Sequence, residues 1–182
     1  MKKQYFFYGI FIVTLFLISF WMQHCTQNKS NLPGIAQDPV IGTWEITEIM
    51  IGDQLLVSEN EDCEQMVANV VSQQSNLFGS PTFEKKNKGF WGADMYFSWK
   101  YDLASTAYQI KFDESDETLN LIKKDKFLWL NISEFTAIFG ETISPTTAKE
   151  FLIFWNLLDQ CPSQFDHFAD DAPVYFQYSK IE

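Results

Sequence analysis

From Met95 to Leu103 apolar and polar residues alternate without a break. Met95, Phe97, Trp99, Tyr101 and Leu103 fall on one side, and Tyr96, Ser98, Lys100 and Asp102 on the other. A period of two marks a β-strand with one buried face. After Ala104-Ser105 the alternation resumes, with Tyr108, Ile110 and Phe112 set against Ala107, Gln109 and Lys111. The run Asp113 to Glu117 is a solvated acidic turn. Leu119 and Leu121 follow, then the turn Lys123 to Lys126, then Phe127 to Ile132. Four short strands joined by polar turns predict an antiparallel meander.

Upstream, Val40 to Met50 reads as another half-buried strand. Val40, Trp44, Ile46 and Met50 share a face with Glu48 among them, while Thr43, Glu45 and Thr47 face the other way. Pro81 and Gly89 bracket a lysine-bearing hairpin expected at the sheet edge. Val174, Phe176 and Tyr178 alternate with Tyr175, Gln177 and Ser179 as a closing strand. Two helices interrupt this pattern. Ser58 with Glu61 fits a capping box, and Cys63, Met66, Val67, Val70, Gln74 and Leu77 follow at spacings of three and four. Thr147 with Glu150 is a second capping box, Ala148, Phe151, Leu152, Trp155 and Leu158 form the stripe, and Cys161-Pro162 stops the helix. The chain therefore reads as mainly β with two inserted helices.

Residues 1–25 are read separately. Lys2 and Lys3 precede the uncharged apolar run Tyr5 to Met22, 18 residues long. This is a signal peptide or a membrane anchor, and the lysines place the rest of the chain outside the cytoplasm. Cys25 lies just past the run, where a lipidated bacterial cysteine would stand, but His24, preceded by Met22 and Gln23, occupies the place of a small residue. Lipidation at Cys25 and an uncleaved anchor both remain open. Residues 26–38 are polar, contain Pro33 and Gly34, and read as a flexible tether to a folded domain over 39–182. Cys63 and Cys161 then lie in an oxidising space and are expected to pair; no CxxC motif or neighbouring histidine supports a reactive thiol.

Composition removes several functions. The chain carries 24 acidic against 13 basic residues, and every basic residue is a lysine. Phosphate backbones would be repelled, and no guanidinium is present to read bases, so no nucleic-acid partner is expected. With two histidines, His24 and His167, a histidine metal site or a Ser-His-Asp catalyst is not expected either. The sequence shows no catalytic residue set, no cofactor motif and no metal site. Asn28-Lys29-Ser30 and Asn131-Ile132-Ser133 match the glycosylation sequon.

Gly42-Thr43-Trp44 at the start of the first strand, the meander and the C-terminal strand together resemble the lipocalin-like (calycin) domains of secreted or lipid-anchored Bacteroidota proteins. The resemblance covers Asp38 to Glu182 and implies a meander closing into a barrel. In lipocalins a late arginine packs across the tryptophan; here Lys180 is the substitute. The resemblance implies an interior able to hold a small apolar ligand, with Trp44, Glu48, Phe97, Trp99 and Tyr101 as ligand-binding residues. The 31 aromatic residues suit such a cavity and suit a solid core equally. Two functions follow: a membrane-tethered carrier of a small apolar ligand, or an envelope module that binds a protein partner through a packed, acidic domain.

Overall fold

The alternating segments form strands because each buries one row of large side chains and leaves a polar row outside. A computed structural model describes residues 38–139 and 145–181. Tyr5 to Met22, Cys25 and most of the tether lie outside the described residues. Among those described, the strands are β1 Gly42–Ile51, β2 Gln54–Leu55, β3 Pro81–Glu84, β4 Lys88–Trp91, β5 Met95–Asp102, β6 Ala107–Phe112, β7 Thr118–Lys124, β8 Phe127–Asn131 and β9 Val174–Lys180. The helices are α1 Glu61–Phe78, α2 Ile132–Phe139, α3 Ala148–Phe154, α4 Leu157–Gln160 and α5 Pro162–Phe165.

Strands β3 to β9 run as an antiparallel meander, and β1 pairs with both β3 and β9. The sheet therefore closes into an eight-strand barrel, with β2 a two-residue appendage of β1. The closure is unequal. β1 meets β9 along seven residue pairs from Trp44↔Lys180 to Ile51↔Val174, but meets β3 only at Gly42↔Phe83 and Thr43↔Thr82. Beyond Thr43 the two strands part and α1 packs against β1. The hairpin β3–β4 thus lies between β1 and β5, not at an edge as expected, because closure leaves it no free side.

The five α-helices among the described residues gather at the end of the barrel where β1 finishes and β9 begins. The opposite end carries the turns after β3, β5 and β7 and the start of β1. Two glycines make that turn end possible. Gly42 has φ +139°, and the Lys180 stem occupies the space a Cβ there would need. Lys180 is also the register partner of Trp44. Gly89 leaves room for the Phe97 ring, which packs on Phe83 at 5.4 Å.

Three helix expectations change. Helix α1 starts at Glu61 with Asn60 as its cap, accepting from the Cys63 N–H at 3.1 Å; Ser58 instead accepts from the Asn60 N–H. The single helix expected after Thr147 is two short ones, broken where Asn156 takes a left-handed conformation (φ 57°); it ends at Cys161-Pro162 as expected, and a further short helix, α5, follows. Helix α2 was not anticipated. Its signal is Asn131, whose carboxamide oxygen accepts from the Ser133 N–H at 2.9 Å and so caps the helix.

Cys63, in the first turn of α1, and Cys161, between α4 and α5, form the expected disulfide, with Cα atoms 6.1 Å apart. The bond ties the two helical insertions together across a sequence separation of 98.

Candidate functional site

The five residues expected to bind ligand do not converge. Trp44, Phe97 and Trp99 are buried and face the barrel interior. There they are packed by other rings: Phe83 lies 5.4 Å from Phe97, 5.7 Å from Trp99 and 5.9 Å from Tyr108. The indole N–H of Trp44 donates to the Val40 carbonyl at 2.8 Å, and that of Trp99 to the Lys88 carbonyl at 2.9 Å. Tyr101 stands at the turn end, 39% exposed, tilted against Tyr108 at 4.9 Å. The turn-side half of the barrel is therefore filled by its own side chains.

Glu48 lies on the opposite face from Trp44. The register of β1 against β9 shifts between Ile46 and Glu48, which inserts one extra residue at Thr47. A bulge of this kind reverses the parity of everything after it. Ile49 and Ile51 turn inward, and Glu48 turns outward opposite Gln177. Its carboxylate accepts from the Gln177 side-chain amide, whose oxygen in turn accepts from the Trp129 indole N–H at 2.9 Å. The Lys124 ammonium lies 3.5 Å from the Trp129 ring centroid and 2.7 Å from Asp53 Oδ1. This is a polar belt on the outer wall that ties β1, β9, β8 and β7 together.

A cleft of about 550 Å³ opens at the helical end. Three separate segments build it: Asp94, Met95 and Tyr96 at the start of β5, Phe112 to Ser115 at the end of β6 and its turn, and Ile138 and Phe139 at the end of α2. Phe112 joins floor to wall, 5.2 Å from Phe139 and 6.0 Å from Phe97. The backbone N–H of Asp113 donates to the Tyr96 carbonyl at 3.0 Å, which holds the acidic turn against β5. Helix α2 is held by Glu134, whose carboxylate accepts from both the backbone and side chain of Asn120. The result is an apolar pocket of Met95, Phe112, Ile138 and Phe139 under a lip bearing Asp94, Asp113 and Glu114. Its volume suits a small organic molecule. Among the described residues, no group of three or more His, Cys, Asp and Glu side chains is placed to hold a metal ion.

Deeper polar groups lie in the same cap. The Gln74 amide, fully buried on α1, and the Thr136 hydroxyl on α2 have no hydrogen-bond partner among the described residues. The Tyr178 hydroxyl, inside the barrel on β9, has none either, and burial pushes its pKa well above the ordinary tyrosine value. Sequence reasoning placed Gln74 in an apolar stripe, which is where it lies, but gave it no role.

No protein-family model matches this chain, and comparison with curated proteins and with solved structures found no match. The barrel's consistency with a lipocalin-like fold therefore rests on its strand number, closure and antiparallel order. No helix among the described residues is long and apolar enough to cross a membrane.

Proposed function

We propose that this chain is a membrane-tethered, extracytoplasmic lipocalin-like protein that binds a small apolar ligand with a cationic or hydrogen-bond-donating head, and that it binds without turnover. The cleft of Met95, Phe112, Ile138 and Phe139 carries the reading, because its acidic lip has no cation among its lining residues. An alkyl or aromatic body fits the apolar pocket, and an ammonium head meets Asp94, Asp113 and Glu114. The Cys63–Cys161 disulfide supports a location outside the cytoplasm, since thiols in reducing compartments seldom pair. Lys2, Lys3 and the apolar run to Met22 supply the tether, with Cys25 as the lipid-bearing residue if the run is removed.

The ring-filled turn-side half favours the second reading, an envelope module whose partner is a protein. Native mass spectrometry of the full chain separates the two. Dodecylamine is expected to be retained about tenfold better than dodecanoate, a difference of about 1.4 kcal/mol. Asp113→Asn with Glu114→Gln should remove that preference, and Phe139→Asp should remove retention altogether. Equal retention of amine and acid, or none of either, sinks the carrier reading and leaves the module.

A further inference from the structure

The folded domain is acidic as a whole: all 24 acidic residues and only ten lysines follow residue 37. The lysines are not spread evenly. Lys85, Lys86, Lys88, Lys123, Lys126 and Lys180 all belong to the turn end, where Glu45, Glu84, Asp102 and Asp125 are the strand and turn acids and Asp38 precedes β1. Asp102 is occupied in its own turn, where its carboxylate accepts from Ser105 Oγ at 2.6 Å. Near the helical end, Lys111 and Lys149 lie 3.5 Å from Asp116 and 2.7 Å from Asp170. The turns Asp113–Glu117 and Asp166–Asp171 and the first turn of α1 make that end acidic.

The turn end also exposes apolar side chains between its lysines. Leu103, at the tip of the β5–β6 turn, is 79% exposed, and Ile181, whose N–H donates to the Thr43 carbonyl, is 43% exposed. Tyr101 stands beside Leu103, and the Lys126 ammonium lies 5.2 Å from the Phe127 ring. Lysines around protruding leucine, isoleucine and tyrosine are the composition of a membrane-surface contact. The ammonium heads reach headgroup phosphates while apolar tips enter the interface. β1 begins at this same end, so the chain reaches the barrel there. An anchored protein would hold these turns close to lipid at high effective concentration.

We propose that the turn end of the barrel, through Lys85, Lys86, Lys88, Lys126 and Leu103, docks on an anionic lipid surface and points the acidic cleft away from the membrane. This rests on the membrane-tethered reading above. The test uses the full chain in nanodiscs of phosphatidylcholine with or without phosphatidylglycerol, with amine labelling of each lysine read by mass spectrometry. In anionic discs Lys85, Lys86, Lys88 and Lys126 should label roughly fivefold more slowly than in neutral ones, each lysine near the surface gaining from the anionic potential. Lys111 and Lys149 should be unchanged. The protection should vanish in about 1 M salt, where the Debye length falls to about 3 Å. Lys85→Glu with Lys126→Glu, both in exposed turns, should abolish it at Lys86 and Lys88. Equal labelling in both discs overturns the docking surface, as does protection that appears only when heparin or another soluble polyanion replaces lipid. The anchor is read separately. A chain that fails to enter neutral discs loses the tether, yet protection of the same lysines on added anionic discs still upholds the docking face.

Discussion

The strands and the helical cap treat their buried polar groups differently. On the strands, Trp44, Trp91, Trp99 and Trp129 each donate the indole N–H to a carbonyl or amide oxygen. In the helical cap, Trp155, Thr136 and Gln74 bury polar atoms with no partner among the described residues. A buried polar group without a partner costs about 1–3 kcal/mol. The tryptophans of the strand core are thus satisfied within a ring-packed interior, where among the described residues the Tyr178 hydroxyl is the exception, whereas the cap holds polar side chains with unmet hydrogen-bonding capacity.

The largest effect expected from breaking this contrast is in the solid half. Phe83→Ala removes a fully buried ring that contacts Phe97, Trp99 and Tyr108, and should cost roughly 3–5 kcal/mol in urea unfolding. Next is the cap's covalent tie. Cys63→Ala and Cys161→Ala should each cost about 4 kcal/mol, the chain-entropy value for a loop of nearly a hundred residues, and the double mutant should be no worse. Single mutants as stable as wild type would show that the cap does not depend on the bond.

The smallest effects should have the opposite sign. Gln74→Leu and Tyr178→Phe each delete buried polar atoms without partners and should be neutral or stabilising by up to about 1 kcal/mol. A loss of more than that would mean these groups bind water or ligand. Tyr178 also carries a pH signature. Its folded pKa is raised above the unfolded value of about 10, so its contribution is fully present below pH ~10 and is lost as pH rises further. Thermal unfolding of Tyr178→Phe should therefore lose less stability than wild type between neutral pH and pH ~11.

Much of the barrel was legible because each strand carries its own alternation. The bounds read for β5 and β6 from Phe97, Trp99, Ile110 and Phe112 needed no distant information. Strand parity alone misplaced the face of Glu48, because that face is decided by a register shift against β9, contributed by residues some 130 positions away. The long helix expected after Thr147 failed at Asn156, where one left-handed residue splits a continuous apolar stripe. Asn131 was visible only as a sequon, although its spacing to Ser133 and Glu134 also suits a helix start. The cleft was illegible altogether. Its walls come from residues near 95, 113 and 138, and no one segment carries the signature of a pocket.

The unequal seam of β1 fixes an order of events for a chain made from its N-terminus. The strand that must be gripped along seven positions waits for Val174 to Lys180, some 130 positions further along the chain. Until then β1 has only Gly42 and Thr43 to hold against β3, and the rim from Trp44 to Ile51 stays open to any other extended chain. Cys161 emerges 13 residues before Val174, so the two helical insertions can be joined by an oxidant while the barrel is still unzipped. Closure pairs strands far apart in sequence, the kind of contact whose loop-closure cost slows folding.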